Sequence, residues 1–387
     1  MLCRIAYVYY VLCAVDRGLS PEMSPGEGMR SILTLGKACL QRQAEQRNIR
    51  HHFIHDVRVL VSPKPSDIIC IMVVRNEEMR LPDCLRHHRN IGVDRFAIID
   101  NSSNDQTRAF LLGQPDVDCY KTSNKYSEAR SGVYWHARLA RCYGFGRWYL
   151  SVDADELLVY SGMERHDLHD LSNFLESRKS KAFFAPMIDM YAKEPSSAVS
   201  YEPGQSMLRA CRFFDGDSYR VTKRGDAIVD VRGGPRVRKL SSEASPFAHQ
   251  LKKYPFFRWD RSLRRPTIHT LKMHRHEPSA SGALLHFKFL PDFAEKVNFA
   301  LATNEFWNGS IQYRRYRDGL ETSDLDVLYY EGSREYQSPE SLISAGLIGS
   351  IDWNACAAVA RKAGKKSEIG HSPVTSQKTS LGTFESR

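Results

Sequence analysis

Three carboxylates follow a run of apolar and β-branched residues at positions 148–152. They are Asp153, Asp155 and Glu156, in the sequence Val152-Asp-Ala-Asp-Glu156. Because side chains alternate along extended backbone, Asp153 and Asp155 are predicted to point the same way. Two such charges about 4 Å apart repel by roughly 4 kcal/mol at a protein surface, and a divalent cation would turn this repulsion into coordination. Oxygen ligands suit Mg²⁺ or Mn²⁺. The alternative is a solvated acidic turn.

Two further polar clusters follow apolar runs nearer the start of the chain. Arg75-Asn-Glu-Glu78 follows Ile68–Val74, and Asp100-Asn-Ser-Ser-Asn-Asp105 follows Phe96–Ile99. Continuous apolar runs are typical of strands buried on both faces of a parallel sheet. In open α/β sheets, ligands bind at the carboxyl ends of the strands. The three polar clusters are therefore predicted to meet at one edge of a sheet and to form one ligand site.

The elements around these clusters alternate between strand and helix patterns, which predicts the α/β class with a largely parallel sheet and helices on both faces. Residues 195–245 are predicted to be rich in loops. The predicted strands are 68–74, 96–99, 117–120, 148–152, 182–191 and 284–290. The predicted helices are about 81–91, 107–112, 127–143, 168–178, 292–319 and 339–346.

The composition is that of a globular protein with a basic surface. The chain has 387 residues and a formal net charge of +10, which favours anionic partners such as phosphates and nucleotides. It has no zinc-finger spacing and no aromatic RNA-binding signature, so a nucleic-acid partner is not expected. The nine cysteines are odd in number and form no Cys-x-x-Cys pair. They indicate reduced thiols and a cytoplasmic location.

Residues 1–55 are predicted to be an appendage with a linker at 16–30. Its apolar run Ile5–Val15 is shorter than the about 20 residues that span a membrane, and it lacks the cleavage site of a signal peptide. A buried or interfacial helix is favoured, which leaves peripheral contact with the inner face of a membrane open. The Lys-, Ser- and Thr-rich segment 361–387 is predicted to be disordered.

Three segments together resemble the family 2-type nucleotide-sugar glycosyltransferases of the GT-A fold, in particular the bacterial glycosyltransferase family 2-like proteins. They are Ile71–Glu78 with its Asn-Glu-Glu end, Ile98–Thr107 against a family pattern Asp-Asp-x-Ser-x-Asp-x-Thr, and Val152–Glu156 with its Asp-x-Asp element. The resemblance covers about residues 67–320. It implies a Rossmann-like, mostly parallel sheet flanked by helices. The implied units are a GT-A domain at 56–320, with a donor half at 67–160 and an acceptor half at 161–320, and a C-terminal helical extension at 321–360.

The resemblance also implies the residues that bind the donor. Asp100 would accept hydrogen bonds from the base or ribose, Asp153 would contact the ribose or a metal-bound water, and Asp155 would bind the metal. Asn101 stands where the family often has a second acidic residue, which leaves the identity of the base open. The implied donor-binding residues are Arg75, Asn76, Glu77, Asp100, Asn101, Asp153 and Lys288.

His286 and Lys288 lie in the apolar segment Leu284-Leu-His-Phe-Lys288. Many GT-A enzymes complete the metal shell with a late histidine, so the resemblance implies that His286 binds the metal beside Asp155. Its alternative is a core histidine. Lys288 lies on the same face and would contact a phosphate, or else be a solvated edge lysine. Asp189 is the candidate general base, because burial on an apolar strand would raise its pKa; its alternative is a buried structural carboxylate.

Several polar residues have structural alternatives that are as strong as their functional ones. Asn76 and Asn101 suit strand-end turns, and Asp105 is expected to cap the helix that follows it. Asp215 and Asp217 are weaker candidates for the base. Glu156 is open between supporting the metal ligands and forming an ion pair. The basic stretches Arg232–Arg238 and Lys252–Arg265 would grip an anionic acceptor or diphosphate, or else be solvated surface charge.

These inferences predict a glycosyltransferase. It would move a sugar from a nucleotide diphosphate sugar, with uridine as the expected base, to a glycan or lipid-linked acceptor. The transfer is expected to be inverting and assisted by Mn²⁺ or Mg²⁺, with Asp153 and Asp189 as catalytic residues. One alternative is a sugar-phosphate nucleotidyltransferase, which should have a glycine-rich phosphate loop where this chain has Arg75–Glu78. The other is a glycan- or nucleotide-binding protein without catalysis.

Overall fold

The structure is a computed structural model that describes residues 47–49, 54–225, 227–240, 251–260, 267, 271, 280–305, 307–322 and 327–354. The predicted apolar run at 5–15, the linker at 16–30 and the tail at 361–387 lie outside the described residues. No helix among the described residues has both the length and the apolar character needed to cross a bilayer.

The strands and helices are numbered here in chain order. The strands are β1 (His55–Arg58), β2 (Ile69–Val74), β3 (Arg95–Asp100), β4 (Val117–Lys121), β5 (Arg147–Ser151), β6 (Glu156–Val159), β7 (Ala182–Phe183), β8 (Met187–Asp189), β9 (Phe213–Asp215), β10 (Tyr219–Arg224), β11 (Ala227–Gly233), β12 (Phe256–Trp259), β13 (Ala283–His286) and β14 (Ser333–Glu335). The helices are α1 (Leu81–Asn90), α2 (Thr107–Leu112), α3 (Val133–Tyr143), α4 (Leu168–Ser177), α5 (Met207–Ala210), α6 (Pro235–Leu240), α7 (Phe293–Thr303), α8 (Trp307–Glu321) and α9 (Pro339–Ser344).

A seven-stranded sheet in the order β1-β4-β3-β2-β5-β12-β7 forms the centre of the fold. Its four inner strands β4, β3, β2 and β5 are parallel, and β1 and β12 are antiparallel to their neighbours. The inner strands are almost wholly buried, because their apolar runs are covered on both faces. The predicted α/β class is therefore confirmed: a mostly parallel central sheet is flanked by helices.

A three-stranded sheet in the order β6-β13-β8 lies beside the central one and positions the site. The single strand predicted at 182–191 is divided, with β7 in the large sheet and β8 in the small one, and Pro186 lies between them. In the small sheet His286 on β13 is opposite Glu156 on β6 and Asp189 on β8. Three ionisable residues from distant parts of the sequence therefore share one row.

Two predictions about the second half of the chain are wrong in detail. Residues 195–245 contain β9, the β10–β11 hairpin and two short helices, α5 and α6, where loops were predicted. The helix predicted at 292–319 is two helices, because Asn304 adopts a left-handed conformation at φ +51° and ends α7. Past residue 321, the described chain forms β14, which pairs with β9, and the short helix α9.

Candidate active site

The first two polar clusters interlock at the carboxyl edge of the central sheet. The backbone N–H of Asn76 donates to Ser103 Oγ at 3.0 Å, and Asn76 Oδ1 accepts from the N–H of Asn104 at 2.9 Å. The N–H of Glu77 donates to Thr107 Oγ1 at 2.8 Å. These bonds follow from the parallel register of β2 and β3, which end side by side. The predicted meeting of these two clusters is confirmed.

The Asp-x-Asp element is a turn, whereas the sequence predicted extended backbone. The N–H of Glu156 donates to the carbonyl of Asp153 at 3.1 Å, so the two aspartates do not point the same way. Asp153 lies 3.1 Å from Lys253 Nζ and Asp155 lies 3.3 Å from His286 Nε2. The side chain of Asp153 is 43% exposed and that of Asp155 is 20% exposed. The turn relieves the repulsion by giving each carboxylate a separate cationic or polar partner.

A chain of side chains leads from Asp155 into the core. His286 Nε2 faces Asp155 at 3.3 Å, and its Nδ1 lies 2.6 Å from Asp189 Oδ1. The other oxygen of Asp189 accepts from Arg236 Nε at 2.7 Å. The side chain of Asp189 is fully buried and that of Arg236 is 5% exposed. The chain fixes the orientation of the His286 ring and directs Nε2 towards Asp155.

Neighbouring charges shift the pKa values of Asp189, Asp155 and His286, and the shift at Asp189 contradicts the prediction from the sequence. Burial alone would raise the pKa of Asp189, but Arg236 and His286 outweigh it and hold the pKa well below its usual range. The predicted raised pKa is wrong. Burial would likewise raise the pKa of Asp155, but His286 and Lys288 lower it well below its usual range. Burial lowers the pKa of His286, but Asp155 and Asp189 outweigh this effect, so the pKa is raised.

Lys253 forms a buried ion pair under the Asp-x-Asp turn. Its ammonium donates to both carboxylate oxygens of Glu156, at 2.7 and 2.6 Å, and to Asp153 at 3.1 Å. The side chains of Lys253 and Glu156 are each 1% exposed. Burial lowers the pKa of Lys253, but Asp153 and Glu156 outweigh it and raise the pKa. Within the basic stretch 252–265, Lys253 is therefore structural and Glu156 is its ion-pair partner.

Side chains of α7 and of the residues next to it form ion pairs with the loop after β2. Lys296 on α7 forms an ion pair with Glu77 and donates to the carbonyl of Asn76 at 3.3 Å. Arg80 is 1% exposed and pairs with both oxygens of Asp292, at 2.6 Å each. Arg75 is paired with Glu305 at 3.0 Å and lies 4.6 Å from the centre of the Phe299 ring. The residues predicted to line the nucleotide pocket here are thus all engaged by side chains of α7 or of Glu305, two residues after its end.

Asp100 and Asn101 are also engaged within the protein. Asp100 is fully buried; one oxygen accepts from the N–H of Ser103 at 2.8 Å, and the other pairs with Arg108. The amide of Asn101 donates to the carbonyls of Thr122 and Asn124, which matches the turn alternative. Asp105 accepts from the N–H of Thr107, the first residue of α2, but the N-cap position is Gln106, one residue later than predicted. A nucleotide base would therefore have to displace Arg108 to reach Asp100.

Two arginines of the basic stretch 232–238, which the sequence left open between gripping an anionic ligand and solvated surface charge, pair with buried carboxylates. Arg236 pairs with Asp189, and Arg238 pairs with the buried Asp215 at 2.9 Å. Asp215 also accepts from the hydroxyl of Tyr191 at 2.7 Å, so it is not available as a base. Asp217 is engaged by the hydroxyl of Tyr330. The only sequence signal for Arg236 and Arg238 was their place in a basic run, which solvated charge explains equally well.

The donor set suits a divalent cation that is shared with a ligand. Among the described residues, no group of three or more His, Cys, Asp and Glu side chains forms a metal cage. Asp155 and His286 supply two donors, and the contact of His286 Nδ1 with Asp189 leaves Nε2 for a metal. Mg²⁺ commonly takes only one or two protein carboxylates and fills its shell with water and phosphate oxygens. The residues present therefore fit such an ion.

Comparison with known proteins gives neither a family nor a curated relative. No protein-family model matches the chain, and no curated protein sequence matches it. Solved structures that match include a 4-diphosphocytidyl-2C-methyl-D-erythritol synthase, at 12% identity over 51% of this chain and 75% of that chain, with a TM-score of 0.25. Another is the inositol-1-phosphate CTP transferase of T. maritima, at 11% identity over 73% and 95%, with a TM-score of 0.25.

A third is a proposed glucose-1-phosphate thymidylyltransferase of Bacillus anthracis, at 8% identity over 72% of this chain and 93% of that chain, with a TM-score of 0.27. Likeness at this level identifies no family and no activity. The family 2 resemblance of the three sequence segments stays a prediction.

Proposed function

We propose that the chain is a glycosyltransferase that uses a nucleotide diphosphate sugar, with a divalent cation held by Asp155 and His286. The observation that carries the proposal is the series of contacts Asp155–His286–Asp189–Arg236, which begins at the Asp-x-Asp turn. A carboxylate that orients a histidine is the usual support for a metal-binding imidazole. The cation would supply charge neutralisation on the departing nucleoside diphosphate.

The protein's own residues divide into two groups under this proposal. Asp155 and His286 would hold the ion, and Asp189 with Arg236 would orient His286. Asp189 positions His286 and does not serve as the base, because its carboxylate is fully buried, paired with Arg236 and has a lowered pKa. Asp153 is the most exposed carboxylate of the turn and supports the predicted contact with the ribose or a metal-bound water.

Sugar-phosphate nucleotidyl transfer is the second candidate, as the alternative that the sequence left open. Two of the solved structures named above are described as a CTP transferase and a thymidylyltransferase. Their likeness does not decide between the two activities, which both need a metal-bound phosphate. Nucleotidyl transfer releases pyrophosphate from a nucleoside triphosphate, whereas glycosyl transfer releases a nucleoside diphosphate, so the products separate the two.

The test compares Asp155→Asn with Asp170→Asn. Asp170 lies 3.3 Å from a histidine, His166, as Asp155 does from His286, but on the exposed surface of α4. The wild type is incubated with nucleotide sugars, and separately with nucleoside triphosphates and sugar 1-phosphates, with Mn²⁺ or Mg²⁺. We expect nucleoside diphosphate release by the wild type and Asp170→Asn, and at least a 100-fold loss in Asp155→Asn.

Both variants are first shown to be folded by circular dichroism. Full activity in Asp155→Asn would refute the metal role, and pyrophosphate release without nucleoside diphosphate release would replace glycosyl with nucleotidyl transfer. Nucleotide-sugar binding with no turnover under any condition would favour the binding protein that the sequence left open.

A further inference from the structure

Lys288 forms no ion pair with any residue that the structure describes, although it lies near the candidate metal site. It lies two residues past His286, at the end of β13, and is only partly exposed. Its ammonium is 5.7 Å from the centre of the Tyr313 ring and 5.8 Å from that of Tyr316. Among the residues that the structure describes, no carboxylate or carbonyl pairs with it. Aromatic faces attract a cation but satisfy none of the three ammonium donors.

Arg236 has a second unsatisfied group in the same place. Its Nε donates to Asp189 and its Nη1 donates to the hydroxyl of Tyr316 at 3.3 Å. Arg236 as a whole is only 4% exposed. Its Nη2 is buried and has no acceptor among the described residues. Buried donors of this kind are rare in proteins and call for a bound water, ion or ligand.

Lys288 and Arg236 lie next to each other because they share a tyrosine neighbour. Both contact Tyr316, which is fully buried and holds them on the same side of the site. Asp155 attracts Lys288 and Arg236 repels it, so all three lie within electrostatic reach of one another. Asp155 attracts Lys288, and Asp189 accepts from Arg236 Nε. The groups of these two residues that lack a hydrogen-bond partner among the described residues are donors: the ammonium of Lys288 and Nη2 of Arg236.

We propose that Lys288 and the Nη2 group of Arg236 bind a phosphate group of the nucleotide ligand directly, so that the diphosphate is held even without a divalent cation. The proposal rests on the proposed function for the identity of that ligand. A phosphate offers three oxygens to the free donors, and arginine and lysine are the side chains that most often bind it. The metal at Asp155 and His286 would then add to this binding instead of creating it.

The test measures binding by isothermal titration in excess EDTA, with UDP, pyrophosphate and inorganic phosphate as separate ligands. We expect the wild type to bind UDP and pyrophosphate, and Lys288→Met to bind them at least 10-fold more weakly. Arg236→Lys, which keeps the charge next to Asp189 but removes the Nη2 donor, should also bind more weakly. The control is Lys193→Met, because Lys193 lies 5.4 Å from a tyrosine ring, that of Tyr329, on the exposed surface.

Each result bears on one of the two proposals. Unchanged UDP affinity in both site variants, or no binding by the wild type until Mn²⁺ is added, would overturn the direct phosphate contact. Lys193→Met affected as strongly as Lys288→Met would do the same. Pyrophosphate binding that depends on Lys288, in a protein that turns over no nucleotide sugar, would support the contact and refute the glycosyltransferase. Binding of inorganic phosphate as tight as that of UDP would mean that the site takes a free phosphate.

Discussion

Lys253 supplies the positive charge on which the Asp-x-Asp turn depends. It is 1% exposed and holds Glu156, also 1% exposed, and Asp153. Lys253→Met leaves a buried carboxylate without its partner, and breaking a buried pair in this way typically costs about 3–5 kcal/mol. We expect a loss of that size in the free energy of unfolding, measured by urea denaturation.

The control is Lys181→Met, since Lys181 is 52% exposed and its pair with Asp260 lies at the surface. It should change the free energy of unfolding by less than about 1 kcal/mol. The double variant Lys253→Met, Glu156→Gln should recover part of the loss, because no charge is then left buried. A Lys253→Met variant as stable as Lys181→Met would contradict the structural role given to the pair.

His286 should make the stability of the metal-free protein depend on pH. Its pKa is raised by Asp155 and Asp189 against the effect of burial, so its contribution is complete below the ordinary histidine pKa of about 6.5 and is lost as the pH rises through the folded-state value. Asp155 and Asp189 have lowered pKa values, and their contributions are lost only as the pH falls below about 4.

We therefore expect the free energy of unfolding in EDTA to fall as the pH rises above about 6.5, and His286→Gln to remove much of this slope. His166→Gln, which removes an exposed contact with Asp170, is the control and should keep the slope of the wild type. An equal slope in His286→Gln would show that other groups titrate in this range.

At the residue scale, the sequence identified side chains that could bind a metal more successfully than it identified which charged side chains pair with each other. Asp155 and His286 were singled out together, and they lie 3.3 Å apart. Asp189 was predicted to be a base with a raised pKa because its neighbours in sequence are apolar. Its charge is in fact balanced by Arg236, 47 residues further along the chain, and no local pattern shows that pairing.

At the scale of elements, α7 is held to the loop after β2 by Arg80. This side chain is 1% exposed and makes two 2.6 Å bonds to Asp292, at the start of α7. Arg80→Met should cost about 3–5 kcal/mol and speed hydrogen exchange in both 75–80 and 293–303, because Asp292 and Glu77 lose a buried partner.

Arg86→Met is the matched control, because Arg86 is 47% exposed and pairs with Asp83 in the same helix, α1. It should leave exchange in α7 unchanged. Faster exchange in Arg80→Met throughout the protein, and not in these two segments first, would show that the pair stabilises the whole fold and not the contact between the loop and α7.

The strand β12 shows why an insertion into a sheet is hard to predict. Its four residues, Phe256–Trp259, lie in a basic stretch and yet enter the central sheet between β5 and β7. Phe256 is fully buried, and its ring is stacked on that of Trp148 with their centres 4.7 Å apart. A four-residue strand carries too little periodicity to be recognised, and its partners come from elsewhere in the chain.

Phe256→Ala should therefore cost about 3–5 kcal/mol, as is usual for a fully buried phenylalanine. Phe145→Ala, at a side chain that is 44% exposed just before β5, should cost far less. Thermal or urea unfolding measures both. Equal losses in the two variants would mean that β12 contributes little to the central sheet.

At the scale of the whole molecule, the sequence predicted the class and the central strands because their signal is local. β2 and β3 are built on continuous apolar runs, and β2, β3 and β5 fall within two residues of their predicted bounds. The second half of the chain is built differently. There β13 pairs with both β6 and β8, and β14 pairs with β9, through contacts between segments far apart in sequence. Hydrophobic periodicity carries no information about such pairings.

The last described residues pack against the segment that precedes α4. Trp353 donates from its indole N–H to the carbonyl of Ser161 at 3.0 Å and stacks on His166, with ring centres 4.2 Å apart. Gly162 lies beneath it at φ +80°, and a Cβ there would be 2.6 Å from the indole nitrogen. Gly162→Ala should displace Trp353 as well as strain the backbone.

Gly146→Ala separates these two effects, because Gly146 has a similar φ of +85° and nothing within 4 Å of its Cβ position. Strain alone should cost about 1–2 kcal/mol in each variant. Gly162→Ala should lose more, and only it should speed hydrogen exchange at 339–354. In a double-mutant cycle with Trp353→Ala, the Gly162→Ala loss should shrink towards that of Gly146→Ala, since the indole is then absent. An additive cycle would mean that the indole contact contributes nothing to the docking of this segment.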